Sequence, residues 1–146
     1  ALDTLLNTAM DFAVSKMYPG LPEYFNNDGR GLYPYLTGAA SWYMLTEICW
    51  VYGVRGEWGD LVIAPALQKA QFGGGSVSVT LPFAGRMLRV RIENADGIEQ
   101  KDYRVYSAAL DGTALPVAEG ILRIPRAEIE ALTADAIHEI TVILHA

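Results

Sequence analysis

Apolar positions Leu2, Leu5, Leu6, Ala9, Ala13 and Met17 recur at helical spacing, with Asp3, Asn7, Asp11 and Lys16 on the other side. The pattern predicts one amphipathic helix over residues 2–17. Tyr18-Pro19-Gly20-Leu21-Pro22 ends it, because proline lacks an amide donor and restricts the residue before it. Residues 23–35 contain Asn26-Asn27-Asp28-Gly29 and Gly31, a turn-rich composition that predicts a loop. A second helix is expected from near Thr37 to about Tyr52, where Gly53 supplies a stop. Tyr43, Met44, Leu45, Ile48, Trp50, Val51 and Tyr52 leave little polar face and Glu47 is the only charge, so this helix is expected to be buried on nearly all sides.

After Gly59 the period changes to two. Val77, Val79 and Leu81 alternate with Ser76, Ser78 and Thr80, and Leu88, Val90 and Ile92 alternate with Arg89, Arg91 and Glu93. Both runs predict half-buried antiparallel strands. Further strands are expected over residues 61–64, 103–110, 120–124 and 139–144, separated by turn signals such as Asp96-Gly97 and Asp111-Gly112. Short strands at this spacing predict an antiparallel β-sandwich, with one short helix over residues 125–132 inserted before the last strand. The fold class is therefore α+β, with helices over residues 1–58 and the sandwich over residues 59–146.

Length and composition fit a folded domain: 146 residues, of which 51% are hydrophobic and 19% charged. A formal net charge of −6 lacks the basic footprint of a nucleic-acid binder. No apolar run approaches the roughly 18 residues of a membrane span, and no targeting segment is visible. Cys49 has no second cysteine to pair with, which suits a reducing compartment, so a cytoplasmic location is expected.

Three stretches carry a more specific signal. They are Pro22-Glu23-Tyr24-Phe25-Asn26, then Gly29-Arg30-Gly31, then Tyr35-Leu36-Thr37-Gly38-Ala39-Ala40-Ser41-Trp42. Together they resemble the end of the catalytic domain in glycoside hydrolase family 94, which contains the phosphorylases of cellobiose, chitobiose, laminaribiose and cellodextrins and the cyclic β-1,2-glucan synthases. Tyr52-Gly53-Val54-Arg55-Gly56, Gly59-Asp60-Leu61 and Ala64-Pro65 are similar to that family's passage from its helical barrel into a C-terminal sandwich. Gly85-Arg86, Glu93-Asn94 and Leu110-Asp111-Gly112 fit more loosely, so the specific motifs are concentrated in residues 18–65.

The resemblance implies a piece of a longer enzyme: two helices closing an (α/α)6 barrel, followed by a jelly-roll-like sandwich. It implies that inorganic phosphate is the co-substrate, with no other cofactor, and attacks the anomeric carbon of a β-linked gluco-oligosaccharide. An aspartic acid protonates the leaving oxygen, giving an α-sugar 1-phosphate. It further implies that Thr37 and Gly38 contact phosphate, and that the aspartate, an arginine and a histidine come from upstream segments. The full enzyme is expected to be a homodimer, and this chain alone is expected to be inactive and to self-associate through its exposed helices.

The residues themselves suit part of that task. A threonine hydroxyl can donate to a phosphate oxygen, Gly38 presents its amide without a Cβ, and a helix start adds partial positive charge. Helix capping by Thr37 is the plainer reading of the pair alone. Glu23, Tyr24 and Arg30 are candidate substrate-loop residues: Glu23 to accept sugar hydroxyls, Tyr24 to stack on a ring, Arg30 to add charge near phosphate or to pair with Asp28. Trp42, Trp50 and Trp58 are expected in the core, and Cys49 reads as filler. His138 and His145 lie seven residues apart with no second ligand pair, so no metal site is expected. Two other readings stay open: the corresponding piece of a cyclic β-glucan synthase, and a non-catalytic sandwich associated with carbohydrate.

Overall fold

A computed structural model describes residues 7–17, 20–33 and 38–146. The chain divides into two compact units, Ala1–Thr46 and Glu47–Ala146.

In the first unit the expected continuous helix is broken. Residues 7–10 are helical, Asp11 takes an extended conformation, and α1 follows as Phe12–Ser15. The Asp11 carboxylate accepts a hydrogen bond from the Ala13 amide at 2.9 Å, so a side chain that competes with helical backbone bonding ends one segment and caps the next. Ser15 is fully buried and donates to the Ala9 carbonyl at 2.9 Å, tying the two segments together.

The expected loop over residues 23–35 contains a hairpin, β1 (Tyr24–Phe25) and β2 (Gly31–Leu32). Asn26 closes it: its side-chain oxygen accepts from the Asp28 amide at 3.0 Å and the Arg30 amide at 2.9 Å. Gly31 is buried, and only glycine fits there, because a Cβ would meet Met17 Sδ and Pro22 Cβ at 2.9 Å.

The second expected helix forms as α2 (Ala39–Thr46) in the first unit and as a π-helical turn (Glu47–Val51) opening the second, closed by the Tyr52 amide on the Glu47 carbonyl at 2.8 Å. The expectation of all-round burial fails. No residue of either segment is buried, and Trp42, Met44, Leu45 and Trp50 are each more than half exposed. Trp58, also expected in the core, is fully exposed at the tip of a hairpin.

The second unit is built from two sheets. The first has strand order β3-β4-β10-β9, with β3 Val54–Glu57, β4 Asp60–Ile63, β9 Val117–Ala118 and β10 Ile121–Ile124. The second has order β5-β6-β11-β7-β8, with β5 Ser76–Phe83, β6 Arg86–Glu93, β7 Arg104–Leu110, β8 Thr113–Leu115 and β11 Ile137–His145. Because β3 pairs with β4, the passage into sheet lies before Gly59.

Tight connections set the registers. Trp58-Gly59, Ala84-Gly85, Asp111-Gly112 and Glu119-Gly120 each join adjacent antiparallel strands, with positive φ at both residues. That backbone matches the twist of the flanking strands, and the second position falls to glycine because it has no Cβ to strain.

The sheets share one core. Leu88, Val90, Ile92, Ile140 and Val142 from the second sheet and Leu61, Ile63, Leu122 and Ile124 from the first are essentially inaccessible to water. Each such side chain contributes about 1.5–3 kcal/mol on burial. α3 (Arg126–Glu130), the short helix expected before the last strand, adds a fully buried Ile129.

The fold is thus α+β and mostly strand, with a pair of sheets compatible with a sandwich. One pairing departs from the expected antiparallel plan: β11 runs parallel to β6 and antiparallel to β7. The chain leaves the second sheet after β8, passes through β9, β10 and α3, and returns between β6 and β7. A crossover of that length permits parallel pairing where a hairpin cannot. Among the described residues no helix is long and apolar enough to cross a membrane.

Candidate functional site

The first unit brings three of the sequence-expected residues close to one another. Gly38 is exposed, and its carbonyl accepts from the Trp42 amide at 3.0 Å at the start of α2. Its missing side chain leaves only ordinary contact with Trp42, the nearest atom lying 3.5 Å from where a Cβ would stand. Glu23 precedes β1, held by its amide on the Leu32 and Tyr33 carbonyls at 3.2 and 3.3 Å. From there its carboxylate accepts a hydrogen bond from the Ala39 amide at 3.2 Å. Thr37 lies outside the described residues.

Tyr24 is more than half exposed and stacks against Tyr33, with ring centroids 6.5 Å apart and planes 21° from parallel. Arg30 is exposed at the end of the Asn26 turn and makes no ion pair among the described residues. The Asp28 carboxylate instead lies 3.5 Å from the Asn26 side-chain amide, so the alternative pairing of Arg30 with Asp28 does not form. Gly38 and Glu23 are thereby joined through Ala39, and Tyr24 adjoins Glu23 in sequence. Arg30 belongs to the far end of the hairpin.

Chemically, the start of α2 accepts an anionic oxygen. Unsatisfied amides at a helix start carry partial positive charge, and here a carboxylate already uses one of them.

The second unit holds titratable networks that the sequence did not reveal. His138 is buried on β11, with Nδ1 2.6 Å from Asp111 Oδ2 and Nε2 3.0 Å from the Thr133 carbonyl. The Asp111 carboxylate, then the Thr133 carbonyl, hold the imidazole above its ordinary pKa; His138 in turn holds Asp111 below the usual carboxylate value. Asp111 Oδ1 also accepts from the Glu139 amide at 2.8 Å. Arg86 donates to the Leu132 and Glu130 carbonyls at 2.6 and 2.5 Å, so Arg86 and His138 tie the end of α3 and the segment after it to the sheet. Glu57 meets Arg123 at 2.8 Å and Arg55 at 2.7 Å, which lowers its pKa, and the Arg55 guanidinium lies 4.8 Å from the Trp50 ring centre. The available signals were Asp111 in an Asp-Gly turn and His138 at a core-facing register position.

Arg89 and Arg91 are exposed on the outer face of the second sheet. Cys49 is free and half-buried. Among the described residues no group of three or more His, Cys, Asp and Glu side chains could hold a metal ion. No protein-family model matches the chain, and no curated protein matches it.

Proposed function

We propose that this chain is the C-terminal part of an inverting glycoside phosphorylase. In this reading it cleaves a β-linked gluco-disaccharide or oligosaccharide with inorganic phosphate, and Thr37 and Gly38 supply part of the phosphate site. Residues up to the end of α2 close an (α/α)6 barrel, the paired sheets form the jelly-roll-like C-terminal domain, and the enzyme works as a cytoplasmic homodimer.

The observation that carries the reading is the start of α2, where Gly38 is exposed and the Glu23 carboxylate sits 3.2 Å from the Ala39 amide. The resemblance carried by the motifs of residues 18–65 supports phosphate contact at Thr37 and Gly38. A phosphate oxygen forms the bond to the anomeric carbon as the glycosidic bond breaks. The departing oxygen takes its proton from an aspartic acid on the opposite face, supplied by an upstream segment.

Magnitudes explain why other ligands are needed. A hydrogen bond to a charged group contributes about 1.5–3 kcal/mol, and a helix start about 0.3–1 kcal/mol. One hydroxyl and one amide therefore supply about 3–7 kcal/mol, against roughly 4 kcal/mol for millimolar affinity, before the repulsion between phosphate and Glu23 and the cost of immobilising the ligand are subtracted. An arginine and a histidine from elsewhere supply the rest.

The test is phosphate-dependent release of a sugar 1-phosphate from a panel of β-linked disaccharides by the full-length enzyme carrying this chain. Loss of that release in Thr37→Ala is expected. Hydrolysis without phosphate, or unchanged phosphorolysis in Thr37→Ala, would overturn the reading.

A further inference from the structure

At one end of the second sheet, three segments meet around a concavity of about 200 Å³ lined by Arg104, Tyr106, Val117, Gly120 and His145, with Ala146 at its edge. The backbone there is irregular. β7 pairs Ser107 with Ile143 and Val105 with Leu144, which leaves Tyr106 as the extra residue of a β-bulge. A bulge bends its strand and re-aims the side chain it carries. Tyr106 is 70% exposed, although an aromatic ring gains most from burial.

Arg104 stands beside it. Its aliphatic stem crosses Gly120, where an added Cβ would lie 2.8 Å from Arg104 Cβ and 3.2 Å from its Cδ. Gly120 is therefore the residue that lets this side chain lie down at the cleft. The guanidinium has no hydrogen-bond or ion-pair partner among the described residues, unlike Arg55, Arg86, Arg91, Arg123 and Arg126 in the same unit. His145 lies beside Tyr106 in the lining, its ring centre 5.4 Å from that of Tyr106 with the planes at 44°. Its Nε2 lies 4.0 Å from Asp96 Oδ2.

We propose that this cleft binds a single neutral hexopyranose unit. The Tyr106 ring offers an exposed face for the apolar C–H side of the sugar, as aromatic side chains with one wet face do. Arg104 donates to hydroxyl oxygens and the ring of His145 adds a group of either role, while Asp96, outside the lining and 4.0 Å from His145 Nε2, adds negative charge nearby. Sugar hydroxyls both donate and accept, so they match this mixed set better than an anion, which Asp96 repels. The volume is below the roughly 300 Å³ at which drug-sized sites begin and suits one ring. The site lies entirely within the second unit and does not depend on phosphorolysis, so failure of the proposed activity leaves it standing.

The test is a titration of the 146-residue chain with cellotetraose, followed by amide and arginine side-chain NMR shifts. Saturable shifts confined to Arg104, Tyr106, Gly120 and His145 are expected. Tyr106→Ser and Arg104→Gln, both at exposed positions, should each weaken apparent binding about tenfold or more, with the rest of the spectrum unchanged. Absence of shifts at the solubility limit would overturn the proposal. So would shifts centred on Tyr24 and Tyr33, or equal binding by both variants. Stronger shifts with glucose 1-phosphate or inorganic phosphate than with cellotetraose, lost in Arg104→Gln, would reassign the cleft to an anion and overturn it as well.

Discussion

The Glu23 carboxylate takes a hydrogen bond from the Ala39 amide at 3.2 Å, joining the β1–β2 hairpin to the start of α2 across sixteen positions of sequence. The contact caps a helix and also fills the point at which phosphate is proposed to sit. Removing it in Glu23→Ala should lower the stability of the first unit by about 0.5–1 kcal/mol, as for other exposed caps. Phosphate should compete with the same carboxylate. Glu23→Gln, which removes the charge and keeps an acceptor, is therefore expected to bind inorganic phosphate more tightly than the parent chain in an NMR titration read at Gly38 and Ala39. Weaker binding by the variant would show that Glu23 assists the anion and would reverse its assigned role.

A pH dependence follows from Asp111 and His138. The folded state holds the His138 proton more tightly than the unfolded chain does, chiefly through the Asp111 carboxylate, so that stabilisation is complete below about pH 6.5 and is lost as pH rises through the raised folded value. Asp111 is depressed in the folded state, so its stabilisation is present above about pH 4 and is lost as pH falls through the lowered folded value. The pair therefore contributes most between about pH 4 and 6.5. Urea midpoints of the parent and His138→Gln should diverge most in that window and converge towards pH 9. A constant difference across the whole range would exclude the charged pair as its source.

What was legible in the sequence divides along physical lines. The alternation of Ser76–Phe83 and Arg86–Glu93 gave those strands and their buried faces, because period two is a local property. Asp111-Gly112 announced its turn since both residues tolerate positive φ. Trp58-Gly59, Ala84-Gly85 and Glu119-Gly120 did not, because tryptophan, alanine and glutamate rarely adopt it and only pairing with the neighbouring strand holds them there. Val54–Glu57 was missed for a related reason: its glycine and charges weaken the local signal, and its place in the sheet comes from β4. The parallel seating of β11 beside β6 and the contact of Asp111 with His138 are tertiary relations with no local signature. At the candidate site the motif identified Gly38 and Glu23, but only the hairpin brings Glu23 to Ala39.

Gly53 offers a sharper test of how the second unit begins. It sits at φ +71, and a Cβ there would lie 2.0 Å from the Ala64 carbonyl oxygen, a backbone atom that cannot turn aside. The Ala64 amide also donates to the Gly53 carbonyl at 3.0 Å, so separating the two segments sacrifices a hydrogen bond. Gly53→Ala should therefore cost on the order of 3 kcal/mol or more, measured by urea denaturation. Gly74→Ala, at a position with no atom within 4 Å of the added methyl, is the matched control and should change stability little. Equal effects of the two substitutions would mean that the close approach of residues 53 and 64 is absent in solution.

Self-association is expected at the exposed helix. Trp42 is 70% exposed and Met44 64% exposed, with Leu45 beside them, so α2 presents apolar surface that the described residues leave open to water. Burying one tryptophan removes roughly 150–250 Å² from water, worth about 4–6 kcal/mol at 25 cal/mol per Å². Association costs at least about 4 kcal/mol in lost freedom, so one such ring nearly balances that cost and several neighbouring side chains yield a weak, concentration-dependent complex. Sedimentation velocity over a dilution series should show the average size rising with concentration. The double substitution Trp42→Ser and Met44→Ser should return the chain to a monomer while leaving its circular dichroism unchanged, since neither side chain contributes to the core. A parent chain whose sedimentation is independent of concentration would show that this apolar helix is insufficient to hold two copies together.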